Sequence, residues 1–406
     1  MISYYISLNF ILFVSAQNEL YKGYKVYNIK FNSEQQQNTF KTLNNGVIDF
    51  WRAPCFKHGV VGQAMVPPTH VDWWEDILQD LGVEREIWVE DVYGYLANSN
   101  IIKLSEDTFD FNGYYRYEKI LEYMQKLELE HQNSPNFNVE LINGGSTDEG
   151  RPLVYIKLSR TSSAPKPVVI IEGGINPREW ITVPAALNVV DKLIEQERFL
   201  DNFDWIIAPV VNPDGYEYTH TNLRFWSKNR SIRSNLGAIC PGVNINRNFD
   251  IDWGVSSASS SPCSHIYAGI EPFSEPESRF LKSILEEYKE TLTLYFSLQN
   301  TGGFLAYPWH YEKAASGMFR QHYLLGLDMI KAMGDNYTQD VGSIAYGDRI
   351  SGTSSDYMAI NEVLYAFNID AAPRGSEGVE VAVEDIGIFI DKVWQAIRIA
   401  ANNFIP

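Results

Sequence analysis

The spacing of hydrophobic positions divides the chain into a short first part and a longer second part. In the first part, residues 24–31 and 46–51 alternate between apolar and polar side chains, as half-buried strands do. The sequence VDWWEDILQDLGV, which follows a Pro-Pro pair, has helical spacing and predicts a helix that ends at Gly82. Residues 97–108 are polar and lack periodicity, which predicts a linker. We therefore predict a small domain of strands and helices over residues 17–96.

Longer elements follow from residue 109 onward. Residues 167–171 form a continuous apolar run, which is typical of a sheet strand buried on both faces. A helical pattern over 184–196 and an apolar strand pattern over 205–211 complete a βαβ unit. Further strands are predicted at 139–142, 153–158, 292–298 and 363–369, and further helices at 114–130, 275–290, 319–333 and 383–404. The pattern predicts one large α/β domain over residues 109–406.

The first sixteen residues, MISYYISLNFILFVSA, form an apolar run that ends in a small-x-small pattern. This is typical of a cleaved signal peptide, so we expect a secreted, extracellular protein. A buried strand or helix is the alternative interpretation. Two N-glycosylation acceptor sequences, at Asn229 and Asn336, agree with secretion. No later segment has the uninterrupted apolar length of a membrane span, and we expect no membrane partner.

Composition narrows the function classes further. The formal net charge is −18 and the isoelectric point is about 4.8, which argues against a nucleic-acid partner, because such a partner requires a basic face. The content of hydrophobic residues, 45%, is enough for a large core. Cys240 and Cys263 bracket a Gly/Ser/Asn-rich stretch and would close a loop in an oxidising compartment, with Cys55 left over. Spacing alone leaves this pairing open.

Several short motifs lie near the ends of the predicted strands. GGINPREW occupies residues 173–180, directly after the buried strand, and ligand sites in open α/β sheets lie at such strand ends. The other motifs are NPDG at 212–215, LRFWSKNR at 223–230, NRN at 246–248 and FSEPE at 273–277. Together they resemble the motifs of the zinc metallocarboxypeptidases of the digestive A/B type. The resemblance extends over nearly the whole chain.

The resemblance implies a fold, a cofactor and a class of partner. The fold is a mixed eight-stranded sheet flanked by helices, preceded by a small α+β, ferredoxin-like activation propeptide domain. Cys240 and Cys263 fall at the positions of a family disulfide. The family uses zinc to release C-terminal residues from peptides, so peptide or protein C-termini are the expected partners. Family propeptides are cut after a basic residue, and in the predicted linker only Lys103 offers one.

The zinc ligands of the family do not carry over to this sequence. The two ligand histidines fall on Asn176 and Gln299, and the ligand glutamate is retained as Glu179. Zinc sites use imidazole, thiolate or carboxylate groups, and amide oxygens are weak donors for this ion. The aspartate that orients a ligand histidine in the family falls on Asn244. We therefore expect no cofactor here, although zinc is the cofactor of the family.

The other catalytic positions also differ. The general-base glutamate falls on Asp370, which is one methylene shorter, and the arginine that polarises the scissile carbonyl falls on Ser227. The tyrosine that closes over the substrate falls on Asp348, and a slip of two residues would place it on Tyr346. The pocket-specificity position falls on Ser355, which is neither an acid nor a large aliphatic residue.

The residues that recognise the substrate are retained. Asn246 and Arg247 match the residues that hold the C-terminal carboxylate of the substrate, and Arg178 matches an arginine along the cleft. An arginine binds a carboxylate through two parallel charge-assisted hydrogen bonds. A structural ion pair is the alternative role for either arginine.

These residues predict a secreted pseudoenzyme that binds peptide C-termini. One alternative is an active metallocarboxypeptidase with weak or atypical metal use, in which Asp370 is the base. The other alternative is a structural or storage protein. A propeptide that stays attached would cover the cleft, which would weaken peptide binding.

Overall fold

A computed structural model of the chain describes residues 17–43, 46–98, 109–161, 165–375 and 379–405. The predicted signal peptide, residues 1–16, lies outside the described residues. Residues 99–108 of the predicted linker, including Lys103, also lie outside them.

The N-terminal domain is built on a four-stranded antiparallel sheet, with one helix after its first strand and another before its last. Its elements are β1 (Lys25–Lys30), α1 (Glu34–Leu43), β2 (Asp49–Arg52), β3 (Gly62–Val66), α2 (Val71–Asp80) and β4 (Glu84–Val89). The strand order β2-β3-β1-β4 is the ferredoxin-like arrangement, as predicted. The strand predicted at 46–51 begins only at Asp49. The last helix of this domain is α3 (Val92–Asn98). It includes Ala97 and Asn98, which the sequence pattern assigns to the linker because the polar composition there conceals the end of the helix.

The two faces of this small sheet have different partners. On one face, Trp74 and Leu78 lie one turn apart on α2 and pack in a buried cluster with Tyr27 and Ile29 of β1. On the other face, Trp51 of β2 stacks near Phe225 of the large domain, with ring centroids 4.0 Å apart. The second face therefore docks the N-terminal domain onto the rest of the protein.

The large domain is built on a mixed eight-stranded sheet, as predicted, in the order β11-β10-β12-β9-β7-β8-β6-β5. Its strands are β5 (Phe137–Ser146), β6 (Pro152–Arg160), β7 (Val168–Glu172), β8 (Asp204–Ala208), β9 (Leu292–Gln299), β10 (Phe304–Tyr307), β11 (Thr338–Val341) and β12 (Tyr365–Asp370). The central strands β12, β9, β7 and β8 are parallel. The six strands predicted in this domain are confirmed, and β10 and β11 were not predicted. The strand predicted at 205–211 ends earlier, at Ala208.

Helices cover both faces of the large sheet, which explains the continuous apolar run in β7. These helices are α4 (Tyr117–His131), α5 (Thr182–Glu195), α6 (Pro213–Thr221), α7 (Pro276–Tyr288), α8 (Phe319–Met333), α9 (Gly342–Ala345), α10 (Ser354–Ile360) and α11 (Ile386–Asn402). Val169 and Ile171 of β7 point into the core with α4, α5, α8 and α11, whereas Val168 and Ile170 point to α7 and α10. A strand buried on both faces needs apolar side chains at every position.

The parallel strands β7, β9 and β12 end at the same edge of the sheet. Asp370 pairs with Gln299, and Glu172 pairs with Ser297, so the three carboxyl ends lie side by side. The loop that follows β7 carries Asn176, Arg178 and Glu179, and Gln299 and Asp370 are the last residues of β9 and β12.

Candidate active-site cleft

The loop from β7 to α5 places two of the three predicted ligand positions. A Cβ atom on Gly173 would lie 2.8 Å from the Thr182 carbonyl oxygen, and Gly174 has a φ of 60°, so both positions favour glycine. The chain then turns, and the Glu179 N–H donates to the Asn176 carbonyl at 3.1 Å. This turn brings the side chains of Asn176 and Glu179 together.

At the three ligand positions of the family, Asn176 contacts both of the other side chains directly. Asn176 Nδ2 donates to Gln299 Oε1 at 2.6 Å and to Glu179 Oε1 at 3.1 Å. The other Glu179 oxygen accepts from the Asn300 N–H at 2.7 Å, and Gln299 Nε2 donates to Ser297 Oγ at 2.6 Å. We call Asn176, Glu179 and Gln299 the amide triad, because two amides and one carboxyl group satisfy one another there.

The amide triad does not fit zinc. Catalytic zinc sites use three protein ligands that are imidazole, thiolate or carboxylate groups, and only Glu179 is of that kind. Asn176 directs its NH₂ group at both other members, and an amide N–H is a hydrogen-bond donor rather than a metal ligand. Burial raises the pKa of Glu179 to about 8, against the nearby charge of Arg178, so this carboxyl group is mostly protonated at neutral pH.

Asp370, at the general-base position, is held by the loop that follows β9. Its Oδ1 accepts from the Thr301 N–H at 3.1 Å and from the Thr301 hydroxyl at 3.0 Å, and its Oδ2 accepts from the Phe304 N–H at 2.9 Å. Burial raises the pKa of Asp370 to about 6 despite these bonds. Its oxygens are therefore already engaged by donors of the β9–β10 loop.

A cavity of about 460 Å³ lies between the two domains and is lined by the amide triad, Asn246 and Arg247. Arg247 donates from Nε to the Ser257 carbonyl at 2.7 Å and from Nη1 to the Asn246 carbonyl at 2.8 Å. Within the described part of the chain, no carboxylate forms an ion pair with this guanidinium. Burial, together with the charge of Arg178, lowers the pKa of Arg247 to about 10. The cavity therefore contains a half-buried cation that has no counter-ion among the described residues.

Ser227 and Asn244 share one partner that the sequence did not indicate. The Ser227 hydroxyl donates to the His265 carbonyl at 3.1 Å, and Asn244 Nδ2 donates to the same oxygen at 3.2 Å. The His265 ring lines the cavity, and burial lowers its pKa to about 4, so the ring is neutral. In the sequence, the only signal for a role of His265 was that the residue is a histidine.

Arg178 is engaged by the N-terminal domain. Its Nη1 donates to Asp49 Oδ2 at 2.6 Å and its Nη2 donates to the Phe50 carbonyl at 3.1 Å. Burial alone would raise the pKa of Asp49, but the charge of Arg178 and its hydrogen bond hold that pKa below its ordinary value. Arg178 is therefore one half of a buried ion pair between the domains, which was the alternative role that we considered for it.

Comparison with known proteins decides the family. Residues 120–396 match the sequence profile described as zinc carboxypeptidase, and residues 27–98 match the one described as carboxypeptidase activation peptide. The chain belongs to the zinc carboxypeptidase family. The resemblance seen in the sequence is thereby confirmed, and the N-terminal domain is the propeptide domain.

Individual members of the zinc carboxypeptidase family are similar to this chain over almost its full length. The chain is 32% identical to carboxypeptidase B of Helicoverpa zea and 28% identical to carboxypeptidase A1 of Rattus norvegicus, in each case over 96% of both chains. Among solved structures, carboxypeptidase A of Helicoverpa armigera is 30% identical, with a TM-score of 0.84, over 95% of this chain and 98% of that one. Thrombin activatable fibrinolysis inhibitor is 25% identical, with a TM-score of 0.77, over 93% and 98%.

The structure also locates two further family positions: the closing tyrosine, for which Asp348 and Tyr346 were the candidates, and the specificity position, Ser355. Tyr346 lines the cavity and its ring stacks near that of His310, with centroids 5.7 Å apart. Asp348, on which we had placed the closing tyrosine, also lines the cavity but lies 3.6 Å from Lys41 of the propeptide domain. Ser355, at the specificity position, is fully buried, and its hydroxyl has no hydrogen-bond partner among the described residues.

The family disulfide is present. Cys240 and Cys263 are joined, which confirms the implied pairing, and Cys55 is a buried free thiol.

Across the described ranges, no group of three or more His, Cys, Asp or Glu side chains is arranged to hold a metal ion. None of the helices in the same ranges has the length and apolarity needed to cross a membrane.

Proposed function

We propose that the chain is a secreted, non-hydrolytic member of the zinc carboxypeptidase family that binds the C-terminal carboxylate of peptides at Arg247. One observation carries this proposal: the cavity retains a half-buried guanidinium with no counter-ion among the described residues, beside three family ligand positions of which Asn176 hydrogen-bonds to the other two. The first half of that observation favours anion binding, and the second half argues against hydrolysis.

The argument for binding concerns the charge of Arg247. Removing a cation even partly from water is costly unless an anion pairs with it, so a ligand carboxylate would relieve this cost. Two of the donor nitrogens of Arg247 are fixed by the Ser257 and Asn246 carbonyls, which orient the guanidinium before any ligand arrives. A preoriented donor loses less conformational entropy on binding. These contacts support a carboxylate site.

The argument against hydrolysis concerns the amide triad and its neighbours. Zinc lowers the pKa of bound water to about 7, and without it the reaction loses its nucleophile at neutral pH. Ser227 supplies no cation to the developing oxyanion, and loss of one such donor typically costs about 10²–10³ in turnover. Asp370 is engaged by Thr301 and Phe304. The alternative of an active enzyme with atypical metal use has less support from these contacts.

Calorimetry on the full chain tests the binding half. We expect an N-acetylated dipeptide to bind at least about 10-fold more tightly than its C-terminal amide, because charge-assisted hydrogen bonds contribute roughly 1.5–3 kcal/mol. Arg247→Ala should abolish this preference, whereas Arg349→Ala, which removes an exposed arginine near the cavity, should not. Thermal unfolding of each variant verifies that it is folded. Equal affinity for the acid and the amide would instead favour a structural or storage protein.

Metal analysis and a peptidase assay test the non-hydrolytic half. Purified protein, dialysed against buffered zinc, should contain far less than one zinc per chain and should release no C-terminal residue from peptides. One equivalent of zinc together with peptide hydrolysis would contradict the proposal.

Secretion is supported by the leader-like residues 1–16 and by the Cys240–Cys263 disulfide, since disulfides persist mainly in oxidising compartments. Activation propeptide domains are also present in the carboxypeptidases that this chain resembles.

A further inference from the structure

The two N-glycosylation acceptor sequences of the chain have opposite environments in the fold. They are Asn229-Arg230-Ser231 and Asn336-Tyr337-Thr338. An oligosaccharide is attached at the side-chain nitrogen of the asparagine, so the contacts of that nitrogen decide whether the folded protein tolerates the modification.

The Asn229 side chain is fully engaged in the core of the large domain. The residue is 1% exposed, and its Nδ2 donates to Glu275 Oε2 at 2.8 Å and to Glu277 Oε2 at 3.1 Å. Its Oδ1 accepts from the Ser231 N–H at 3.2 Å and from the Val243 N–H at 2.8 Å. A sugar on Nδ2 would remove a donor from two buried carboxyl groups and would have no space. The fold therefore excludes a glycan here.

Asn336 has the opposite environment. It is exposed on the turn between α8 and β11, with a left-handed φ of 73°, and its side chain forms no hydrogen bond with another described residue. Asparagine is one of the few residues that adopt this conformation readily. The side-chain nitrogen is therefore free to carry a substituent that extends into solvent.

The residues around Asn336 hold the acceptor sequence in place. The Asn336 carbonyl accepts from the Arg374 N–H at 2.9 Å, and the Thr338 N–H donates to the Gly303 carbonyl at 3.0 Å. Between them, Tyr337 is buried, and its hydroxyl donates to the Ala371 carbonyl at 2.8 Å. These anchors point Tyr337 inward and leave Asn336 at the surface.

We propose that Asn336 carries an N-linked oligosaccharide and that Asn229 does not. In the reaction, Asn336 Nδ2 forms a bond to C1 of the first sugar and loses a proton. The bond from C1 to the diphosphate of a lipid-linked oligosaccharide donor breaks, and the lipid diphosphate leaves with the electron pair. The inference rests on the proposed secretion, because this donor is met in the secretory pathway.

The position of the glycan gives it a physical consequence. β11 is one of the two edge strands of the eight-stranded sheet, and Asn336 lies two residues before that strand begins. Exposed edge strands tend to pair with other chains, and a bulky hydrophilic group beside one would oppose this pairing. Asn336 does not line the cavity, so the glycan leaves the carboxylate site at Arg247 open.

The test is expression of the full chain in a eukaryotic secretory host, followed by digestion with an N-glycosidase and peptide mapping. We expect the secreted protein to lose one glycan, with Asn336 converted to aspartate by the enzyme and Asn229 recovered unmodified. Asn336→Gln and Thr338→Ala should both remove the change in electrophoretic mobility that digestion with the N-glycosidase causes. Thr338→Ser, which keeps the hydroxyl of the acceptor sequence, should retain it.

A second chain, with the leader of a host protein in place of residues 1–16, separates this inference from the proposed secretion. If the native chain stays in the cells but the second chain is modified at Asn336, the secretion proposal is wrong and the glycan site stands. A secreted protein that is unmodified at Asn336, or that carries its glycan at Asn229, would overturn the inference.

Discussion

Asn176 is the residue on which the chemistry of the cleft depends most. Its amide spans the space between Glu179 and Gln299 and donates to both, so it replaces metal–ligand bonds with hydrogen bonds. The sequence revealed that the two ligand histidines of the family are absent. It could not reveal that their replacements bond to each other, because that depends on side-chain directions at the ends of separate strands. His265, which lines the cleft, and Asp49, which pairs with Arg178, were missed for the same reason, since only tertiary contacts bring them there.

The double substitution Asn176→His with Gln299→His should restore zinc binding. Asn176 Nδ2 lies 3.1 Å from Glu179 Oε1 and 2.6 Å from Gln299 Oε1, so two imidazoles and one carboxylate at these positions would supply the three protein ligands of a catalytic zinc site. We expect about one zinc per chain in metal analysis after dialysis, against far less for the unmodified chain.

Two further variants control that measurement. Adding Glu179→Gln to the double substitution should lower the zinc content again, because the carboxylate ligand is lost. Adding Asn244→Asp should raise the zinc affinity by about 10–100-fold, since that residue would orient a ligand histidine. A double variant that holds no more zinc than the unmodified chain would show that the amide triad does not mark a former metal site.

At the scale of elements, β2 is the strand that connects the propeptide domain to the cleft. It carries Asp49, which pairs with Arg178, and Trp51, which packs on Phe225. The alternating pattern predicted this strand. It did not predict that the charged Asp49 and the aromatic Trp51 both face the large domain. β10 and β11 were missed because neither alternates: β10 (FLAY) is apolar throughout four residues, and β11 (TQDV) is polar at three of four positions. β7 was predicted correctly because burial on both faces leaves an unbroken apolar run.

Asp49→Asn should loosen the propeptide domain. The substitution keeps the shape of the side chain but leaves Arg178 as a buried, unpaired charge, which typically costs about 3–5 kcal/mol. Hydrogen exchange measured by mass spectrometry on the full chain should therefore show faster exchange in β2 and in β3, with β9 unchanged as an internal reference.

Glu86→Gln, an exposed substitution on β4 of the same domain, is the matched control and should leave the exchange unaltered. If Asp49→Asn exchanges as slowly as the control, the ion pair does not hold the domain in place. Uniformly faster exchange that includes β9 would instead mean that the whole chain is destabilised.

At the scale of the whole molecule, an acidic chain buries several carboxyl groups, and burial raises their pKa values. Burial raises the pKa of Glu172 to about 7 and the pKa of both Glu179 and Glu277 to about 8. Net charge and composition indicated an acidic surface, but they could not separate these interior groups from the exposed ones. The family resemblance predicted the fold of the large domain correctly. Its motifs mark where strands end, and strand pairing in the sheet then brings these ends side by side.

These buried acids make the stability of the fold depend on pH in a defined direction. A carboxyl group whose pKa is higher in the folded state must take up a proton on folding at any pH between its two pKa values. Its contribution is complete below the unfolded value of about 4.5 and is lost as the pH rises through the folded value. For Glu277, stability should therefore fall between about pH 4.5 and pH 8.

Glu277→Gln isolates this effect, because glutamine resembles the protonated acid. Glu277 Oε2 accepts from Asn229 and its Oε1 has no partner among the described residues, so the amide oxygen can keep the contact while the NH₂ group occupies the other position. We expect the variant to be close to the unmodified chain in unfolding free energy at pH 5. At pH 8 it should be more stable by on the order of a few kcal/mol, because it no longer has to take up a proton.

Chemical denaturation at several pH values measures this difference, with Glu286→Gln as the control. Glu286 lies on the same helix, α7, but its side chain is 63% exposed, so that substitution should change stability little and equally at every pH. A difference between Glu277→Gln and the unmodified chain that stays constant from pH 5 to pH 8 would mean that Glu277 is ionised in the fold. In that case the buried pair of Glu275 and Glu277 would need a positive charge close to it, and Arg233, 3.3 Å from Glu275, is the residue to substitute next.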